Sequence, residues 1–137
     1  MQTLQQERAR FALEKVKAAL SEAKETPDKA GFSPKEFKSQ AESFPAMIRM
    51  NGLGQAAAFY LSKNDAHKKL YAILSAWLKQ PGQPYQGKDL LDGITEGKMH
   101  DYRLAQTEAL LLLDWVKKFA GAFAEDDNRA NKPEAQP

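Results

Sequence analysis

Few residues of this sequence could do acid–base, nucleophilic or metal chemistry, and they are scattered. Cysteine is absent, which removes thiolate nucleophiles, thiolate metal sites and disulfides. The two histidines, His67 and His100, have no second histidine or carboxylate cluster at the spacing that would complete a metal site on one helical face. Both read as surface residues. No serine lies in the tight, strained turn that exposes a nucleophile. Glu108 could act as a general base, but no histidine lies within a turn of it and its i+3 neighbour is Leu111. Pairing with a basic residue on an adjacent helix, or with solvent, explains it more simply. Gly52 to Ala57 spells G-x-G-x-x-A, yet a dinucleotide fingerprint needs a buried strand before it and an acidic residue about twenty positions on. Both are missing, so the small residues Gly52, Gly54, Ala56, Ala57 and Ala58 are expected to let this backbone approach another helix closely.

Positive charge is the more informative chemistry. Arg10, Lys17 and Lys24 recur every seven residues, which on a helix sets them along one side at roughly 10 Å intervals, a spacing able to follow a phosphate backbone. Glu14 lies where it can pair with Arg10 or Lys17, as on an ordinary solvated face. Near the C-terminal end Arg103, Gln106, Thr107, Asp114 and Lys117 share a side, with Lys118 further round and Asp114 weakening the phosphate reading. Arg49 and the pair Lys68-Lys69 add charge mid-chain. No aromatic platform stands among these cations, so base stacking and sequence readout are not expected.

The elements that must carry these residues are helical. Ala9, Ala12, Leu13, Val16, Ala19, Leu20 and Ala23 predict a first helix over 4–24, an apolar face at three- and four-residue spacing. Ser33-Pro34 predicts a second, short helix to about 43. Pro45 restarts the chain, and 45–63 reads as helical with Asn51, Gly52 and Gly54 able to break or bend it. Asn64 or Asp65 caps a helix bearing Leu70, Ile73, Leu74, Trp77 and Leu78, and 89–95 makes a short one closed by Gly97. The last helix, 101–124, carries a continuous stripe from Tyr102 to Phe123. Leu104, Leu111 and Trp115 lie on its other side, so this helix is either central to a bundle or exposes a seam for a partner. No segment alternates as a strand does.

The fold class expected is therefore all-α, a compact single-domain bundle of about five to six helices over 1–124. Residues 125–137, with four acidic and two basic residues, are expected to form a disordered tail. The whole chain has 137 residues and a net charge of +2, so the body without that segment is about +4, mild for a protein that binds nucleic acid unaided. The N-terminus has no apolar run of signal-peptide type, and the longest apolar stretch, Ala109 to Leu113, is far too short for a membrane span. The expectation is a cytoplasmic protein without membrane contact, metal or cofactor.

Three stretches carry a resemblance: QERARFALEKV; FPAMIRMNGLGQAAAFYLSK with LYAILSAWL downstream; and YRLAQTEALLLLDWVKKFA. Together they resemble the small subunit of the type III-B CRISPR effector, the Cmr complex, an RNA-guided RNA-targeting assembly. The likeness covers most of residues 1–124 and leaves out the segment from Glu125. It implies a non-catalytic helical protein whose copies stack as a minor filament beside the backbone and large subunits, its basic surface lining the groove that holds the guide–target RNA duplex. The residues this assigns to phosphate contact are Arg10, Lys17, Arg49, Lys69, Arg103, Lys117 and Lys118. Arg10, Arg49, Arg103, Lys117 and Lys118 lie within the matched stretches; Lys17 and Lys69 lie outside them and rest on charge geometry alone. A helical adaptor binding only protein, its basic strips merely solvated, is the alternative.

Overall fold

Two of the helices begin with reciprocal caps. Thr3 accepts from the Gln6 N–H at 3.1 Å while the Gln6 side chain accepts from the Thr3 N–H at 2.9 Å, and Ser33 and Glu36 repeat the exchange at 3.1 and 2.8 Å. Each exchange satisfies two donors that a helix start would otherwise leave unbonded. The computed structural model describes residues 1–131, with side chains through Ala124. In chain order the helices are α1 (Leu4–Glu25), α2 (Pro27–Ala30), α3 (Pro34–Asn51), α4 (Leu53–Ser62), α5 (Asp65–Leu78), α6 (Leu90–Glu96) and α7 (Met99–Asn131). No strand occurs among the described residues, and the all-α class stands.

Several boundaries differ from those read in the sequence. Residues 27–30 form an extra turn, α2, closed by Gly31 in the left-handed region at φ 83°. Glycine is needed there twice over, because a Cβ would also run into the Asp65 carboxylate. Pro45 does not restart the chain; α3 continues through it as one helix of 18 residues. Pro45 is buried, and next to it Phe44 stacks on Tyr60 with ring centroids 3.8 Å apart, while the Tyr60 hydroxyl donates to the Gln40 carbonyl at 2.7 Å. Tertiary packing thus keeps continuous a helix that proline alone would tend to break. The true corner is Gly52, at φ 87°, between α3 and α4. At the other end α7 carries on to Asn131. The tail expected from 125 falls where no side chain is described, and 132–137 lie outside the described residues.

The core forms where α7 packs between α1 and α3, with α5 behind α1 and α3. Ala105, Ala109, Leu112, Leu113, Val116 and Ala120 of α7 are fully buried, an i, i+3, i+4 series on one face. Arg8 meets Glu108 and Lys17 reaches Phe123, so α1 and α7 lie side by side in the same direction. Arg8 occupies the apolar face of α1, in register with Ala12, Val16 and Ala19. Its guanidinium grips Glu108 through Nε and through Nη2 at 3.0 Å, and the Trp77 indole donates to the same carboxylate at 2.9 Å. The Arg8 and Glu108 side chains are only 10% and 12% exposed. Glu108, weighed above as a general base, is therefore held by a basic residue on an adjacent helix and by α5.

A second correction concerns His67, read from the sequence as a surface residue. It is 7% exposed. It packs edge-on to Tyr60 at 4.6 Å and donates through Nδ1 to the Asn64 side chain, which therefore does not cap α5. Burial, and then the nearby Lys63 charge, pushes its pKa below the ordinary value. His100 is exposed as expected.

Two outcomes are expected. Glu108→Ala leaves a buried guanidinium unpaired and should lower the unfolding free energy in urea by about 3–5 kcal/mol, whereas Arg8→Met with Glu108→Leu should cost much less. For His67 the folded pKa lies below the unfolded one, so the unfolded chain takes up a proton first as pH falls below about 6.5. Stability should decline below that pH by at most about 1.4 kcal/mol per unit, and His67→Gln should flatten that part of a urea-melt pH series.

Candidate nucleic-acid interface

The seven cations assigned to phosphate contact emerge from four helices. Arg10 and Lys17 stand exposed on the same side of α1, as their seven-residue spacing requires. Arg10 approaches Glu14 at 3.7 Å and donates to the Gln2 side chain at 3.2 Å. Lys17 lies over the Phe123 ring, 5.4 Å from its centroid. Lys69 of α5 is half-buried and pairs with Glu22 of α1 at 3.0 Å, across a groove of about 340 Å³ lined by alanines of both helices. It is the one candidate whose charge an opposed carboxylate largely neutralises.

Arg49 is in the last turn of α3 and Arg103 in the second turn of α7; both are exposed. The structure brings their two segments together. Gly52 turns the chain at the end of α3, leaving the first N–H groups of α4 without helical partners. Two side chains of α7 supply them: the Gln106 amide oxygen accepts from Leu53 N–H at 2.9 Å, and the Tyr102 hydroxyl accepts from Gly54 N–H at 2.9 Å. A Cβ on Gly52 would come within 3.2 Å of that hydroxyl, and one on Gly54 within 3.4 Å of Ile94. The small residues at 52 and 54 therefore serve close approach, and Ala56 and Ala57 are fully buried, while Ala58 faces outward. Gln106 caps a neighbouring helix and is not part of an open polar strip.

Lys117 and Lys118 are exposed on α7 but point apart, since successive residues differ by about 100° around a helix. Lys117 falls two heptads beyond Arg103, about 21 Å along the same side. Lys118 falls on the side of Leu104 and Leu111. The candidates thus divide between an Arg103–Lys117 side of α7, with Arg49 just before the neighbouring Gly52 corner, and an Arg10–Lys17–Lys118 side, with Lys69 on the α1–α5 groove.

Sequence reasoning missed the polar groups that set this geometry. Arg8 carried a signal, because an arginine on an apolar stripe demands a carboxylate partner. Tyr71, Ser75 and Asp89 carried none. Tyr71 and Ser75 donate to the Asp89 carboxylate at 2.6 and 3.1 Å and accept from the Leu91 and Leu90 N–H groups, both at 3.1 Å. Burial works against the Asp89 charge, but these hydrogen bonds and Lys79 outweigh it and hold the carboxyl below its ordinary pKa. The start of α6 is thereby tied to α5. Among the described residues no cluster of three metal-ligating side chains occurs, and no helix is long and apolar enough to cross a membrane.

Comparison with known proteins fits the fold and the sequence together. The family model described as CRISPR-associated protein (Cas_Cmr5) matches residues 4–123. The CRISPR system Cmr subunit Cmr5 of Thermus thermophilus is 30% identical over 127 residues, which span 92% of this chain and all of that one. The X-ray crystal structure of a CRISPR-associated Cmr5 family protein, also from Thermus thermophilus, superposes with a TM-score of 0.71 at 30% identity, covering 88% of this chain and 97% of that one. The helical body just described, matched from the start of α1 nearly to the end of the described core, belongs to the Cmr5 family of CRISPR-associated proteins.

Proposed function

We propose that this chain is a non-catalytic structural small subunit of the type III-B CRISPR RNA-guided RNA-targeting (Cmr) complex. In that role it partners the backbone and large subunits in the cytoplasm, stacks with copies of itself as a minor filament, and helps hold the guide–target RNA duplex. Its membership of the Cmr5 family supports the assembly. The observation that supports the RNA contact is that Arg49 and Arg103 are both exposed and that the Gly52 corner, just after Arg49, is capped by Tyr102 and Gln106 on either side of Arg103. Neither arginine makes an ion pair within the described residues. Phosphates are the natural partners of such forks. Contact through phosphates suits an A-form duplex whose sequence is read by pairing and whose backbone meets the protein.

A net charge of only +2 is compatible with this role because several copies along one duplex multiply weak contacts through effective concentration. The carboxylate held by Arg8 and Trp77 is taken up in structure, which supports the non-catalytic reading.

Arg49→Glu with Arg103→Glu in the reconstituted assembly should reduce retention of the RNA duplex at least tenfold in filter binding. It should also make the dependence on log salt shallower by about one to two units, irrespective of RNA sequence. Unfolding of the free subunit should be unchanged, as both side chains are exposed. Retention indifferent to these reversals and to salt would point instead to the protein-only adaptor. Lys69→Ala should leave RNA retention within about twofold of the parent, because Glu22 already compensates that charge.

A further inference from the structure

The Arg10–Lys17–Lys118 side differs from the Arg49–Arg103 corner in what lies among its charges. Leu104 and Leu111 are 48% and 44% exposed and stand two turns apart on the same side of α7. Trp115, one turn beyond Leu111, is half-buried and stacks on Phe119 with centroids 5.5 Å apart. Phe119 leads in turn to Phe123 at 6.4 Å, and Lys17 of α1 covers the Phe123 ring. From Leu104 to Phe119 this seam is about 22 Å long. Its anchors follow the one-turn and two-turn spacing by which one helix receives another laid along it.

Charge decides what kind of helix fits. Arg10 is engaged by Glu14 at the exposed rim. Lys17 and Lys118 have no carboxylate partner among the described residues and stand at opposite edges, against the single acid Asp114 on the outer edge. We propose that the seam docks an amphipathic helix of a different protein chain, one whose apolar stripe is flanked by acidic residues. A nucleic acid suits it poorly, because Leu104 and Leu111 offer a nucleotide neither a hydrogen bond nor a ring face. A second copy meeting it through the same stripe would bring the same lysines to both rims. A strip about 22 Å long and one helix wide is well short of the roughly 800 Å² per partner of a free-standing interface. The contact therefore operates inside an assembly, and the proposal rests on the reading of this chain as an assembly subunit.

The test keeps the two apart. The tagged full-length chain is first purified from its own cells; if no other Cmr subunit comes with it, the assembly reading falls and the seam proposal with it. Leu111 is then replaced by the photo-cross-linker p-benzoylphenylalanine, the purified assembly is irradiated, and the adducts are mapped by peptide mass spectrometry. The expected adduct is to one segment of a different subunit, with acidic residues within two turns of the attachment point. Combining Lys17→Glu and Lys118→Glu should lower the adduct yield at least fivefold. An adduct to RNA, to a peptide of this same chain or to a segment without acidic flanks would overturn the proposal. So would no adduct from a chain that co-purifies, or a yield unmoved by the double reversal.

Discussion

An arginine that points into the apolar side of its own helix obliges the rest of the molecule to come to it. Arg8 has to meet a carboxylate out of water, and that carboxylate, Glu108, lies 100 residues away on α7. Trp77 brings α5 to the same oxygen. Breaking one partner of such an arrangement is costly even though the intact pair contributes little net stability. Its value is in register. Leucine and alanine faces slide over one another at small cost, but a fork-shaped guanidinium on a carboxylate admits one axial setting of α1 against α7. That setting carries Lys17 to Phe123 and so lays out the seam between the two helices.

The opposite flank of α7 uses polar groups to the same end. Tyr102 and Gln106 complete the start of α4, so the Gly52 corner is held from outside its own segment. Tyr71, Ser75 and Asp89 do likewise for α6. Short helices have little stability of their own, and here each draws its missing hydrogen bonds from a longer neighbour. α7 thereby becomes a two-sided spine. One flank positions guanidinium groups beside a rigid corner; the other presents apolar rings and leucines between lysines. Division of the basic residues into two surfaces follows from that spine and from the 100° step between Lys117 and Lys118.

The helical class, the helix start at Ser33-Pro34 and the double-faced character of the last helix were legible because each is a local pattern: a cap followed by proline or a 3.6-residue period. Pro45 misled for the complementary reason. Its cost is local, but the Phe44–Tyr60 stack and the Tyr60–Gln40 hydrogen bond that offset it join residues far apart in the chain. His67 misled in the same way, since nothing beside it in sequence announces an aromatic nest. The cations were legible one at a time, by type and exposure. Where they stand relative to one another was not, because the segments of Arg49 and Arg103 are joined by packing of α3 on α7 and by caps between α4 and α7, and Lys69 is compensated through the packing of α1 on α5.

The long span closed by Arg8 and Glu108 also bears on biosynthesis. While the chain leaves the ribosome, α1, α3 and α5 are made before the face of α7 that covers them exists. Their apolar stripes must wait, collapsed on one another without register, until about a hundred further residues have followed Arg8. Helical proteins usually fold fast because their contacts are local; this one has its organising contact between residues 100 apart in the chain. A nascent chain stalled before Glu108 would display an unpaired arginine in an open hydrophobic face, the type of surface that holdase chaperones and proteases recognise. Emergence of Glu108 and of the α7 face around it is thus the point from which α1 can take its register.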